Sequence, residues 1–262
     1  MVDYFLRKYK SIQEVRIRCN KNIIVLADSV EYEDKFADKF YIDKMLAFLT
    51  SNSVYAFKEE ISEGFISVFG GNRAGICGRG VVRDGHIEHI KEVSSINLRF
   101  AREFKGCSDT VFERIRHNIC NVVFVSPPGC GKTTMLRDLA RNLSYSGLNV
   151  CIVDERCEIA PLKERSSVFD LGPRCDIMSA VPKSKGMNMV LRTMNPDVIV
   201  VDEIGNEDDA QAVLNAVNSG VNVVASFHGA NPEEFQRRFV GRDFFKCVVV
   251  LGKDKRIGDI IC

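Results

Sequence analysis

The segment Ser126-Pro127-Pro128-Gly129-Cys130-Gly131-Lys132-Thr133-Thr134 carries the most specific chemistry in this sequence. It matches the phosphate-binding loop GxxxxGK followed by Ser or Thr, except that Ser126 stands where the first Gly is expected. Gly129 and Gly131 let backbone N–H groups curl around a polyphosphate, which then lies at a helix N-terminus with a favourable dipole. Lys132 is placed to neutralise the β- and γ-phosphates, and the Thr133 hydroxyl to ligate Mg²⁺. A Gly/Pro turn that merely precedes a helix would share the composition. What separates the two is a strand before the loop and a helix after it, and both are legible here.

Asp197-Val198-Ile199-Val200-Val201-Asp202-Glu203 reads as the partner of this loop. An apolar strand ending in two acids puts both carboxylates at the edge where parallel sheets bind ligands. Asp202 would hold Mg²⁺, directly or through water, and Glu203 would orient and polarise the attacking water of a phosphoanhydride hydrolysis. A kinase would need an acceptor pocket, and nothing in the sequence marks one. Two further polar clusters end apolar strands: Asp154-Glu155-Arg156-Cys157-Glu158, and His228-Gly229 after Ser226 and Phe227. The first reads either as a solvated acidic loop or as a source of a further acid, Glu155 or Glu158, that helps place water or metal. His228 reads either as a capping side chain or as a group that senses phosphate and couples its loss to motion.

The elements that must position these groups follow from the hydrophobic pattern. Residues 122–125, 150–153, 198–201, 221–226 and 247–251 are apolar runs without alternation. Residues 132–143 place Leu136, Leu139, Ala140 and Leu143 on one helical face, and 207–218 do the same with Ala210, Val213, Leu214 and Val217. Unalternating strands separated by amphipathic helices predict an α/β domain with a parallel sheet covered on both faces. The first hundred residues read differently, as α+β. Strands are expected at 14–19, 23–26, 65–69 and 74–82, a turn at Gly70-Gly71-Asn72, and helices at 42–49 and about 53–62. Around 98–106 the pattern loses its period and gains charge. The expected division is therefore an N-terminal α+β domain at 1–98, a linker at 99–106 and the parallel-sheet domain at 107–262.

Composition narrows the function classes. Lys plus Arg (36) nearly cancel Asp plus Glu (35), so no global field draws the chain to nucleic acid or to an anionic membrane. A local basic face from Arg16, Arg18, Arg73, Arg79 and Arg83 is the one arrangement that would favour nucleic acid. The ten cysteines form no CxxC pair and no zinc spacing, and read as free thiols in a reducing cytosol. The start of the chain does not read as a signal peptide, and no apolar run reaches the ~20 residues of a membrane helix.

Taken together, these segments resemble the secretion-type ATPase superfamily that drives type II and type IV secretion and pilus machines. More closely, the chain resembles the stage III sporulation AA family of endospore-forming bacteria. That likeness rests on 14–18 (EVRIR), 70–78 (GGNRAGICG), the loop at 126–134, 153–160 (VDERCEIA), 200–205 (VVDEIG) and His228. The resemblance implies a RecA-like P-loop ATPase domain preceded by a smaller α+β domain, with ATP and Mg²⁺ bound between domains and subunits of a hexameric ring. By the same analogy Asp154, Glu155 and Glu158 fall in the superfamily's acidic box and His228 in its histidine box. Arg99 and Arg102 fall where its linker arginines reach towards nucleotide. Many secretion ATPases have Gly where Asp202 stands, which makes metal binding here more like an ordinary RecA or AAA site. The family role implied is a cytoplasmic motor, docked to membrane proteins on the mother-cell side of a channel to the forespore. Two alternatives stand beside it: a nucleic-acid-dependent ATPase, and a nucleotide-gated scaffold with little turnover.

Overall fold

A computed structural model of the protein describes residues 1–68, 72–83, 85–100, 103–163 and 166–261. The chain divides into two compact units, Met1–Arg102 and Glu103–Cys262.

The first unit is an antiparallel sheet with helices. Its elements are α1 (Val2–Lys8), β1 (Ile12–Arg18), β2 (Lys21–Ala27), β3 (Val30–Ala37), α2 (Lys39–Leu49), a 3₁₀ turn (Val54–Phe57), α3 (Lys58–Ser62), β4 (Phe65–Val68), β5 (Asn72–Arg83) and β6 (His86–Arg99). The strands lie in the order β3-β2-β1-β6-β5-β4. β1 alternates as its sequence requires: Val15 and Ile17 are fully buried while Arg16 is exposed. They pack with Ile42, Met45 and Leu49, the buried stripe of α2, into one core. Asp38 caps α2 by accepting from the Tyr41 N–H at 2.7 Å. The structure adds two strands and moves one residue. Residues 30–37 and 86–99 are strands that the pattern did not reveal, because β3 is exposed along most of its length and β6 buries only Ile96 and Leu98 near its end, so neither carries a sustained apolar period. Arg99, expected to open a linker, is the last residue of β6, opposite Glu14 and Arg73. Gly70 and Gly71 of the expected turn, Phe69 of the expected strand, and Arg102 lie outside the described residues.

The second unit is built on the parallel sheet. It comprises α4 (Asp109–Ile115), β7 (Val122–Ser126), α5 (Lys132–Tyr145), β8 (Val150–Asp154), a short pair β9 (Leu162–Lys163) and β10 (Ser166–Ser167), β11 (Cys175–Ser179), α6 (Lys183–Thr193), β12 (Val198–Val201), α7 (Glu207–Asn218), β13 (Asn222–His228), α8 (Pro232–Arg238), a 3₁₀ turn (Arg242–Phe244), β14 (Cys247–Leu251) and β15 (Ile257–Ile261). Among the described residues the sheet runs β11-β8-β12-β13-β7-β14-β15, parallel except for β15.

Because successive side chains leave opposite faces, the apolar strands fill two cores. Val122, Phe124, Ile152, Val198 and Val200 pack with α4 and α5; Val123, Val125, Val153, Ile199 and Val201 pack with α6, α7 and α8. Asn206 and Asp209 form a reciprocal capping box that starts α7. Eight cysteines are free thiols. Cys247 is disulfide-bonded, against the expectation of free thiols throughout, and Cys262 lies outside the described residues.

Candidate active site

Four adjacent parallel strands, β8, β12, β13 and β7, end together and bring the polar groups to one edge. The register does the work: Val201 lies level with Val153 and Ala225, and His228 level with Ser126. Asp154, Asp202, Ser226, His228 and the phosphate loop therefore converge, although the sequence spreads them over 126–228.

The loop adopts the conformation its glycines allow. Gly129 and Gly131 have φ of +77° and +93°, in the left-handed region where a side chain would be strained. Gly131 caps α5, and Lys132 is the first residue of that helix. Lys132 Nζ turns back on its own loop, donating to the Ser126 carbonyl at 2.8 Å and the Pro127 carbonyl at 3.0 Å. Burial lowers its ammonium below the ordinary lysine value, opposed by the negative charges of Asp202 and Glu203. Cys130 is buried in the core and its thiol donates to the Pro128 carbonyl, so only its backbone is available to a ligand. Thr134 is half-buried, and its carbonyl accepts from the Cys107 thiol.

Thr133 Oγ1 donates to Asp202 Oδ2 at 3.1 Å. Two adjacent hard oxygen donors beside a phosphate loop fit Mg²⁺, which usually takes one or two protein ligands and completes its shell with water and phosphate oxygens. Among the described residues no group of three or more acidic, His or Cys side chains makes an all-protein metal cage. Asp202 Oδ1 also accepts from Ser226 Oγ and from the Glu203 N–H.

Glu203 has φ of +47°, a conformation uncommon for a residue with a side chain. Its neighbours over-determine it. The Glu203 N–H donates to Ser226 Oγ at 3.0 Å, and its carbonyl accepts from Lys183 Nζ at 2.8 Å. One carboxylate oxygen, Oε1, lies 2.6 Å from His228 Nε2, and the other, Oε2, 2.6 Å from Arg156 Nη1. Burial alone would raise this carboxyl. The His228 hydrogen bond and the charges of Arg156, His228 and Lys132 outweigh it and hold the group below the usual glutamate range.

Asp154 behaves differently. Its oxygens accept from the N–H groups of Glu158 at 2.9 Å and Ala160 at 2.8 Å, closing the acidic loop on itself. Burial raises its carboxyl more than those bonds lower it, and Asp202 adds to the rise. Glu158 enters this loop through its backbone, whose carbonyl accepts from Arg137 Nη2 at 2.6 Å. Glu155 is exposed and pairs with Lys183 at 3.4 Å. Arg99 belongs to the first unit, and Arg102 lies outside the described residues.

Sequence reasoning assigned no role to Ser226, Arg156, Lys183 or Arg137. Ser226 did leave a signal, as a polar residue inside the apolar run of β13. Arg137, buried on α5, donates to the carbonyls of both Glu158 and Ile159 and so fastens the acidic loop to the phosphate-loop helix. Lys183 comes from α6, with nothing local to mark it.

The sequence matches the family described as Sporulation stage III, protein AA, over residues 2–262. The chain belongs to that family. It is 34% identical to stage III sporulation protein AA of Bacillus subtilis (strain 168) over 242 residues, 88% of this chain and 78% of that protein. The fold is similar to that of the Legionella pneumophila ATPase DotB, with a TM-score of 0.59 and 15% identity over 92% of this chain and 72% of that one. It is likewise similar to the pilus retraction motor PilT with bound ADP, with a TM-score of 0.61 and 16% identity over 95% and 76% of the two chains. Among the described residues no helix is long and apolar enough to cross a membrane.

Proposed function

We propose that the chain hydrolyses ATP and works as a ring-forming motor for a membrane complex. The observation that carries this reading is the meeting of Lys132, Thr133, Asp202 and Glu203 at one sheet edge, beside a loop opened by two left-handed glycines. The loop N–H groups and Lys132 bind the phosphates, once Lys132 turns from its own carbonyls towards them. Thr133 and Asp202 hold Mg²⁺, which supplies charge neutralisation. Glu203 orients and polarises the attacking water, and His228 and Arg156 fix its carboxylate. In this reading Glu155 and Glu158 serve as subsidiary acids, and Ser126, Pro127, Pro128, Cys130 and Thr134 line the nucleotide loop.

The ring and the membrane complex rest on kinship. The family is a sporulation family, and the folds it resembles include a pilus retraction motor. In this reading copies assemble as a hexamer in the cytoplasm, Arg99 and Arg102 reach nucleotide from the N-terminal domain and linker, and the ring docks on channel proteins between mother cell and forespore. Mass measurement of the purified protein with and without ATP–Mg²⁺, with hydrolysis followed in the same samples, tests it. A hexamer with turnover is expected; persistent monomer without turnover would move the chain to a nucleotide-gated scaffold.

A further inference from the structure

Arg156 is a cation at this site that neither the phosphate loop nor the metal position uses. It lies two residues beyond β8, and its side chain is 63% exposed, yet Nη1 sits 2.6 Å from Glu203 Oε2. On the other side His228 Nε2 meets Glu203 Oε1, while His228 Nδ1 lies 3.5 Å from Lys132 Nζ. An ammonium can only donate, so Nδ1 faces it as acceptor and Nε2–H donates to Glu203. Lys132, His228, Glu203 and Arg156 thus form one row. Both of its charged ends are engaged within the protein, Lys132 on loop carbonyls and Arg156 on Glu203.

That arrangement suits a resting site better than a working one. With His228 Nε2 on Oε1 and Arg156 Nη1 on Oε2, both oxygens of the Glu203 carboxylate are already engaged within the protein. An exposed ion pair is also cheap to part, since solvent screens it. The planar fork of arginine fits a phosphate at least as well as a carboxylate, and a terminal phosphate carries more charge.

We propose that Arg156 is a positioning residue for Glu203 that changes partner with the nucleotide: it pins the carboxylate in the nucleotide-free protein and passes to the terminal phosphate of a nucleoside triphosphate. This rests on the ATP-hydrolysis reading above. The exchange makes the release of Glu203 depend on the terminal phosphate, so a diphosphate, which lacks that group, leaves the pair intact. No covalent step is involved.

The test is a titration of ATP and of ADP, each with Mg²⁺, against wild type, Arg156→Ala, Arg156→Lys, Glu203→Gln and the Arg156→Ala/Glu203→Gln double variant. Arg156→Ala is expected to lower the ratio of ATP to ADP affinity about tenfold, the scale of a charge-assisted hydrogen bond less that of an exposed pair. Arg156→Lys should recover part of it, with the charge but without the fork. Glu203→Gln should tighten ATP in the wild-type background, because Arg156 no longer has to leave a partner, and tighten it much less where Arg156 is already Ala. In turnover, KM for ATP should rise more than kcat falls. Equal ATP:ADP ratios in wild type and Arg156→Ala, or Glu203→Gln effects that simply add, would overturn the proposal while leaving the hydrolysis reading intact. Wild type that binds no ATP would overturn that reading itself. Should Arg156→Ala not fold, the Arg156→Lys ratio decides: no change from wild type counts against the exchange.

Discussion

Asp34 in the first unit and Glu203 in the second are both carboxylates held below their ordinary range, and they are not doing the same thing. In the first unit Asp34 accepts from Tyr9 Oη at 2.6 Å, Lys8 Nζ at 2.9 Å, Tyr4 Oη at 3.0 Å and the Lys35 N–H at 2.6 Å. Burial would raise this carboxyl, but the bonds from Tyr9, Lys35, Lys8 and Tyr4 outweigh it and hold it far down. Its side chain is 1% exposed. In the second unit Glu203 is also lowered, but it is 26% exposed and its partners His228 and Arg156 are more open still, at 37% and 63%. A depressed carboxyl is therefore no mark of function by itself. Asp34 is saturated by hydrogen bonds from groups that tie α1 to β3. Glu203 sits at positive φ, next to a glycine-lined loop, with partners that are open to solvent.

The comparison breaks most sharply on Glu203→Gln. The amide keeps the shape and loses the charge, so turnover by the assembled protein should fall about 10²–10⁴-fold, the usual worth of a positioned base. Thermal unfolding should barely move. If wild type and variant hydrolyse ATP equally, Glu203 is as structural as Asp34, and Glu158 or Glu155 must be tested in its place.

Lys132→Ala sharpens the same contrast at the level of binding. Removing the one loop ammonium should weaken ATP by about 10²-fold in a titration with labelled nucleotide. Undiminished affinity would mean that the loop is a structural turn.

Asp34→Asn should do the reverse. We expect a loss of about 2 kcal/mol in denaturant unfolding, from hydrogen bonds to a charged group, with ATP binding and turnover per folded molecule unchanged. The pH dependence has a definite sign. Because the folded carboxyl is lowered, its contribution is complete above the unfolded value of about 3.9 and drains away as pH falls below that. A variant whose unfolding profile matches wild type from pH 7 down to pH 3 would show that the tyrosine–lysine cluster contributes no stability.

How much of this could be read from the chain varies by residue. The phosphate loop was legible because its chemistry is local: glycines, lysine and threonine must be contiguous to wrap a phosphate at a helix start. Asp202 and Glu203 were legible for a related reason, since the apolar run before them carries them to the sheet edge. Arg99 was misplaced because charge at the end of a strand looks like charge in a linker. Ser226 and Lys183 were given no role, since a buried serine in an apolar strand and a lysine at a helix start are common and mean nothing without their neighbours.

The sequence by itself determined the two hydrophobic programmes, alternation in β1 and continuous apolar strands beyond residue 121, and the types of residue available for chemistry. Periodicity is a property of consecutive residues, and so survives without the fold. The tertiary structure decided which of those residues meet. Strand register sets Ser126 level with His228 and Val201 level with Val153, and that alignment brings Arg156 within 2.6 Å of Glu203 across 47 positions of chain. Such pairs depend on how sheets stack and where loops return, through contacts between distant residues that no local pattern records.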